Sequence, residues 1–259
     1  MYFDGERYYT KEEFFNPDEE KEENHKPKKM RKWMKVTIAS IVTVALLANV
    51  LSMWPQLFNL ASIEFLAISR ELSENEDVQL YKESVVVVKA GSSKGTGFYI
   101  SEDGHIITNE HVVDDARDIF VTFQGGESHR AEVISKDEDI DIAILQINGG
   151  ETERPVLEFD NTWETGMPVY IVGNPLFFNY IANKGHILDL MPDQGQGTPM
   201  LMIDAPIYKG NSGSPVINHD GGVVGVVFAT TRVEHDGSKV RVGLAVPVEY
   251  FEEYLDFDE

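Results

Sequence analysis

The chain of 259 residues carries no cysteine and has a formal net charge of −22. The missing thiols exclude a cysteine nucleophile, disulfide bonds and thiolate metal sites, and the acidity argues against a nucleic-acid partner, whose binding needs a basic stripe. The length allows one sizeable hydrophobic core, or two small ones that share an interface.

Residues 1–35 form a tail whose charge changes sign along its length. Residues 1–25 mix acidic side chains with aromatic ones such as Tyr8 and Phe14 and show no helix or strand period, so we expect a disordered tail. The aromatic residues leave open a docking motif for a cytoplasmic partner. A basic cluster follows, consisting of Lys26, Lys28, Lys29, Arg31, Lys32 and Lys35.

This cluster is followed by an uncharged, mostly apolar segment at residues 36–54, from Val36 to Trp54. The segment is long enough to span a bilayer. Basic residues precede the segment and none follows closely, which predicts a single-pass anchor in a bacterial cell membrane with the N-terminus in the cytoplasm. A cleaved signal peptide is the alternative, because small residues occur at 45–49.

Residues 55–77 are interpreted as a juxtamembrane helix and a linker. Apolar residues at near-helical spacing predict an amphipathic helix over 56–74, which could lie on the bilayer, pair with another subunit or pack on the following domain. The polar run at 73–77 is the expected linker, so we expect the folded domain to cover residues 78–259.

Short apolar runs separated by Gly, Asp and Asn fill the rest of the chain and indicate an all-β barrel or sandwich. The predicted strands are 84–88, 97–101, 105–108, 119–123, 130–135, 140–147, 168–172, 181–188, 200–203, 215–218, 223–229 and 240–246. A short helix is expected at 247–256.

Ser212 lies in the motif KGNSGSPV at 209–216. Gly210 and Gly213 flank this serine, and Ser-Pro-Val follows the second glycine. Such a turn suits a nucleophile, because a serine hydroxyl needs a base to take its proton and needs backbone N–H groups that face the oxyanion. The same residue types also make ordinary surface turns, so the motif alone leaves that reading open.

Two further motifs supply a histidine and an aspartate ahead of this serine. They are GTGFYISEDGHIITNEHVV at 95–113, with His111, and DIDIAILQI at 139–147, with Asp141. The chain order His, Asp, Ser is that of chymotrypsin. With VGNP at 172–175 and GLAVPV at 243–248, the sequence resembles the trypsin-like serine peptidases of the bacterial HtrA (Deg) type over its last two-thirds.

The resemblance implies a chymotrypsin-like double β-barrel with the catalytic groups at the junction. Ser212 would be the nucleophile, His111 the general base, and Asp141 the group that orients the imidazole. Asp137 and Asp139 are alternative candidates for the aspartate of the triad, although both could simply belong to a solvated loop. The other six histidines lie in no such motif: His25, His105, His129, His186, His219 and His235.

The backbone N–H groups of Gly210 and Ser212 would form the oxyanion hole. By the same resemblance, the substrate pocket would be lined by Pro206, Ile207, Tyr208, Val226, Val227, Phe228 and Ala229. None of these seven is charged, so we expect a small or medium apolar side chain before the scissile bond.

Glutamyl endopeptidases share TN-x-HVVD and GNSGSPV with this chain, so a glutamyl-endopeptidase-like enzyme is an alternative. Those enzymes carry a histidine in the strand after the nucleophile, where this chain has Val227, and they use a processed N-terminus. Both points favour the HtrA type.

Three features depart from the HtrA pattern. Ser214 stands where glycine is common, Glu110 precedes the histidine, and no PDZ domain is expected after residues 243–248. Regulation through a PDZ domain therefore cannot be carried over, and a homotrimer is suggested by analogy alone.

The sequence thus predicts a membrane-tethered serine endopeptidase that acts on exported or misfolded polypeptides, with no cofactor and no metal site. The alternative from another class is a catalytically silent trypsin-like domain that serves as a scaffold or chaperone.

Overall fold

The computed structural model describes residues 1–3, 5–15, 32–57, 60–114, 116–147, 154–191, 198–235 and 238–255. The chain divides into two compact units, Met1–Leu57 and Phe58–Glu259.

The first unit holds two short strands and two helices: β1 (Tyr2–Phe3), β2 (Tyr8–Tyr9), α1 (Lys11–Phe15) and α2 (Lys32–Leu57). Strands β1 and β2 are antiparallel, and the rings of Tyr2 and Phe14 stack with their centroids 5.0 Å apart. The prediction of disorder was therefore wrong for residues 2–3 and 5–15, which form paired strands and a short helix joined by contacts between aromatic rings. The rest of the tail, 16–31, lies outside the described residues.

Helix α2 contains the predicted span at 36–54. Its stretch Lys32–Asn49, with a mean hydropathy of 1.2, is long and apolar enough to cross a membrane by length and composition.

The second unit begins with two helices, α3 (Leu60–Leu72) and α4 (Glu76–Ser84). Helix α3 packs on the barrel strand Ile181–Met191: Ser69 Oγ accepts the N–H of Ala182 at 3.1 Å, and Phe65 meets the ring of Tyr208 edge to face at 5.1 Å. Of the three positions left open for this helix, the structure shows packing on the folded domain. The stretch 73–77, expected to be a linker, forms a turn and the start of α4. Asn75 caps this helix, because its side-chain oxygen accepts the N–H of Asp77 at 2.8 Å.

Two closed antiparallel barrels of six strands each make up the remainder, as the strand pattern and the resemblance predict. The first is built from β3 (Val85–Ala90), β4 (Ser93–Tyr99), β5 (His105–Thr108), β6 (Ile119–Phe123), β7 (Ser128–Asp137) and β8 (Ile142–Ile147), with helix α5 (Glu110–Val113) after β5. The second is built from β9 (Pro168–Gly173), β10 (Ile181–Met191), β11 (Met200–Asp204), β12 (Pro215–Ile217), β13 (Val223–His235) and β14 (Ser238–Pro247). In place of the helix expected at 247–256, two 3-10 helices follow, Val248–Tyr250 and Glu252–Leu255.

Each barrel has its own apolar core, and a third cluster lies between them. Phe98 and Ile107 from the first barrel meet Val226 and Val246 from the second there, together with Phe251, and all five are fully buried. This cluster makes the barrels a single packed body, so side chains on different barrels can hold a fixed geometry.

Thr96 on β4 makes the polar connection between the barrels. Its N–H donates to the carbonyl of Ser212 at 2.8 Å, and its hydroxyl donates to the carbonyl of Gly210 at 2.7 Å. The same hydroxyl accepts the N–H of Asn174 at 3.0 Å, and Asn174 Nδ2 donates to the carbonyl of Val86 at 2.8 Å. Thr96 is fully buried, so each of these bonds replaces one that water would otherwise make.

Replacing Thr96 with valine should lower the free energy of unfolding by about 2–3 kcal/mol, because two buried backbone groups lose their partner. Thr122→Val is the matched control, because the Thr122 hydroxyl donates to the hydroxyl of exposed Ser128. This variant should change the free energy of unfolding by less than about 0.5 kcal/mol. Denaturant unfolding of the full chain in detergent measures both. Equal effects from the two variants would show that the Thr96 hydroxyl does not hold the junction together.

Candidate active site

His111 and Asp141 meet at the edge of the first barrel. His111 lies on the short helix α5, and Asp141 lies in the turn that enters β8. The imidazole Nδ1 is 2.7 Å from Asp141 Oδ2, and the backbone N–H of His111 donates to Asp141 Oδ1 at 2.9 Å. The hydrogen bond that His111 donates to Asp141 is the main cause that raises the pKa of His111, with Glu110 adding to it and partial burial opposing it.

The turn that carries Asp141 is held in an unusual conformation, with φ at +56°. Such a backbone is rare for a residue with a side chain and persists only where its surroundings enforce it. Asn109 Nδ2 donates to the Asp141 carbonyl at 2.7 Å, and Asp137 Oδ1 accepts the N–H groups of Asp139 and Ile140 at 2.8 and 3.2 Å.

Asp137 also accepts a hydrogen bond from the hydroxyl of Tyr254 at 2.5 Å, and this bond is the main cause that lowers the pKa of Asp137. Asp137 is therefore part of the support of the turn rather than a residue of a solvated loop. Tyr254 follows β14, so the end of the second barrel contacts the turn that carries Asp141.

Glu110, which departs from the HtrA pattern, is buried next to His111. Its carboxylate pairs with Lys136 Nζ at 2.7 Å, and Lys136 also pairs with Glu138 at 3.2 Å. The ion pair with Glu110 is the main cause that raises the pKa of Lys136. A lysine beside Glu110 satisfies a carboxylate that would otherwise be costly to bury.

Ser212 lies in the tight turn between β11 and β12, and two glycines make that turn possible. Gly210 and Gly213 have φ at +103° and +85°. A Cβ at Gly210 would lie 2.4 Å from the carbonyl oxygen of Asn174, and one at Gly213 would lie 1.9 Å from that of Thr96. The backbone of the second barrel therefore approaches β4 closely enough to place Ser212 at the junction.

The N–H groups of Gly210 and Ser212 point to an anion-binding function. Within the residues that the structure describes, neither donates to a protein acceptor, although the N–H of Gly213 donates to Val227 and that of Asn211 to Tyr208. Two free backbone donors beside a serine can stabilise negative charge that develops on a bound carbonyl oxygen.

His111 and Ser212 line the same cavity, of about 560 Å³. The Ser212 hydroxyl donates to the carbonyl of Phe228 at 3.3 Å, and no hydrogen bond joins it to His111 among the described residues. The described part of the chain likewise provides no partner for His111 Nε2. A base and a hydroxyl thus face one cavity without a hydrogen bond between them, and such bonds often form only when substrate binds.

A second cavity, of about 220 Å³, shares Lys209 and Ser212 with the first. Five of the seven residues predicted for the substrate pocket line it: Ile207, Tyr208, Val227, Phe228 and Ala229. Pro206 and Val226 do not. Pro206 is exposed, and Val226 is buried in the cluster between the barrels.

The sequence analysis did not include Lys209, Thr230 and Arg241, which also line this second cavity. Arg241 is on β14, opposite Arg232 of β13. Only the strand register brings Arg241 to the cavity, and the motifs carry no register. Within the described residues, no group of three or more His, Asp or Glu side chains could hold a metal ion.

The chain is similar to known peptidases. The family model "Trypsin-like peptidase domain" matches residues 95–226, about half of the chain. A protein of Chlamydia muridarum named probable periplasmic serine endoprotease DegP-like is 36% identical over 166 residues, which are 60% of this chain and 31% of that protein. A protein of the same name from Pseudomonas savastanoi pv. phaseolicola is 33% identical over 61% of this chain and 33% of its own length. The chain therefore spans about a third of the length of these relatives.

Among solved structures, Rv3671c from M. tuberculosis H37Rv, in the inactive form of a serine-to-alanine mutant, is 29% identical with a TM-score of 0.61. The match covers 71% of this chain and 90% of that one. The inactive form of Rv3671c protease matches with a TM-score of 0.60 at 29% identity, over 71% of this chain and 93% of that one. The chain belongs to the trypsin-like peptidase family, and its relatives are proteases of the DegP (HtrA) type.

Proposed function

We propose that the protein is a membrane-tethered serine endopeptidase that hydrolyses exported or misfolded polypeptides. The observation that carries the proposal is the meeting of three features at one cavity: a histidine oriented by an aspartate, a serine on a tight turn, and two unpaired backbone N–H groups. Together these are the parts that acyl transfer through a serine requires.

In this mechanism Ser212 Oγ attacks the carbonyl carbon of the scissile bond and gives its proton to His111 Nε2. Asp141 holds Nδ1–H and stabilises the imidazolium, and the N–H groups of Gly210 and Ser212 bind the oxyanion. The imidazolium then gives its proton to the leaving amine. Water, activated by the same imidazole, hydrolyses the acyl-enzyme and frees Ser212.

Attack requires the Ser212 hydroxyl to leave the carbonyl of Phe228 and turn toward His111. Rotation about the Cα–Cβ bond suffices for a change of this kind, because the two side chains line one cavity. The bond to Phe228 also gives a specific reason to consider the second candidate function, a catalytically silent scaffold or chaperone domain.

Helix α2 supports tethering. Its apolar stretch and the basic cluster before it are the pattern of a single-pass anchor with a cytoplasmic N-terminus, which would place the barrels outside the cytoplasm. A cleaved signal sequence near the N-terminus satisfies the same test of length and hydropathy. The relatives from Chlamydia and Pseudomonas are named periplasmic. A homotrimer, by analogy with the family, completes the proposal for the assembly.

The apolar preference before the scissile bond stays a prediction. Ile207, Val227 and Ala229 support it as apolar walls of the second cavity. Lys209, Thr230 and Arg241, which are polar or charged, line the same cavity.

Ser212→Ala should abolish labelling by a fluorophosphonate probe and lower the rate of casein cleavage by more than about 10³-fold, because the attacking oxygen is lost. Ser128→Ala, on the exposed face of β7, should leave both unchanged. If wild type stays unlabelled and cleaves no casein while remaining folded, the silent scaffold replaces the peptidase.

The pH profile of kcat/KM should rise through a pKa above the ordinary imidazole value of about 6.5. The His111 pKa is raised in the folded protein, chiefly by Asp141, so the neutral base appears only at higher pH. Glu110→Gln should move this rise to lower pH, because it removes a negative charge that raises the His111 pKa. Glu132→Gln, on exposed β7, is the control, and a shift equal to that of Glu110→Gln would contradict this electrostatic influence.

The absence of native cysteine allows a clean test of topology. In spheroplasts, a membrane-impermeant maleimide should label Glu102→Cys and should label Lys11→Cys only after lysis. Labelling of both sites without lysis, or an N-terminus that begins beyond α2, would reject the retained anchor with a cytoplasmic tail.

A further inference from the structure

Positive charge is concentrated beside Ser212. The two cavities that flank it include Lys94, Lys209 and Arg241 in their lining, and none of their described lining residues is acidic. The whole chain has 44 acidic residues against 22 Lys and Arg. A cleft lined in this way attracts negatively charged ligands, although the protein as a whole is acidic.

Arg241 is the cation that the second cavity contains in addition to Lys209. Its Nη2 and Nε donate to the hydroxyl of Thr230 at 3.0 and 3.3 Å, so Thr230 orients the guanidinium at the cavity. Within the described part of the chain, no carboxylate lies within 4.0 Å of Arg241. A guanidinium has five N–H donors in a planar fork, so others stay available for a ligand.

The register of the hairpin strengthens this argument. Arg241 lies directly opposite Arg232, and like charges opposite each other across two antiparallel strands repel. A bound anion would relieve that repulsion. The face that carries both arginines also carries Thr230 and Glu234, two residues before and after Arg232 on β13, and Glu234 lies opposite Lys239.

The cavity combines this positive end with apolar walls. Ile207 and Val227 are buried aliphatic residues that line it, and its volume of about 220 Å³ holds one side chain of medium size. A glutamate matches both parts, because its two methylene groups suit the walls and its carboxylate suits the guanidinium.

We propose that the cavity lined by Arg241 and Thr230 binds an acidic side chain, so that the enzyme cleaves after glutamate, and after aspartate less well. This inference rests on the proposed peptidase function and competes with the apolar preference drawn from the uncharged residues; the peptides below distinguish the two. Lys209 lines both cavities and so adds positive charge next to the scissile bond. Lys94 lines the larger cavity, where its ammonium already donates to Leu176, Phe178 and Asn179.

The test uses the full chain in detergent and peptides that differ only in the residue before the scissile bond: Glu, Gln, Ala, Val or Lys. Wild type should cleave the Glu peptide with kcat/KM about tenfold or more above the Gln peptide, because a hydrogen-bonded charge pair is lost with Gln. Arg241→Gln should bring the two within about twofold, and Arg241→Glu should favour Lys. Lys239→Gln removes a positive charge from the same strand outside the cavity and should keep the wild-type preference.

Two measurements separate failure of this proposal from failure of the proposed function. If wild type reacts with a fluorophosphonate and cleaves the Ala or Val peptide at the same rate as the Glu peptide, the proposed peptidase function stands and the proposed acidic pocket is wrong. If wild type does not react, binding to the Ser212→Ala protein decides. A labelled peptide ending in Glu should bind about tenfold more tightly than one ending in Gln, and Arg241→Gln in that background should remove the difference. Equal binding of the two peptides overturns the proposal whether or not the protein is active.

Discussion

The buried side chain of Thr96 is the constraint on which the geometry of the site depends. His111 and Asp141 belong to the first barrel and Ser212 to the second, so their meeting requires that the barrels keep a fixed relative position. The apolar cluster between the barrels supplies most of the packing, but apolar contacts are not directional. Thr96 adds direction, because its backbone and hydroxyl bond two carbonyls of the turn that carries Ser212. Those bonds also leave the N–H groups of that turn on the side of the cavity.

The His111–Asp141 pair depends on a second support of the same kind. The left-handed backbone at Asp141 is unfavourable on its own and needs contacts from both sides. Asn109 supplies one from within the first barrel, and Asp137 with Tyr254 supplies the other from the segment after β14. On the opposite side, Phe65 of α3 packs on Tyr208, which lines the second cavity. Segments before and after the two barrels therefore contact the supports of the site, and changes in either can reach it without touching a reacting atom.

The strands could be predicted well from the sequence because they depend on local patterns, and the site motifs rest on local patterns too. Alternating apolar residues and turn residues mark a strand wherever it pairs, and GNSGSPV carries its turn in its own glycines. Features that depend on pairing were missed. Arg241 lies 29 positions after Ser212, and only the register of β13 with β14 brings it to the cavity. The aromatic contacts of residues 2–15 were missed for a related reason, since strands of two residues leave no period.

The proposed acidic preference must be reconciled with a net charge of −22, which would be expected to repel acidic substrates. Screening resolves the conflict. At physiological salt the Debye length is about 8 Å, so carboxylates elsewhere on the surface act weakly on a peptide in the cleft. Lys94, Lys209 and Arg241 line the two cavities, so a bound peptide lies closer to them than that length and their attraction is screened less. Low salt would extend the repulsion from the surface, and high salt would weaken the attraction at the cleft. Repulsion from the surface slows the encounter and so lowers the association rate constant, whereas the guanidinium slows release and so lowers the dissociation rate constant. The preference for glutamate should therefore appear in the dissociation rate constant.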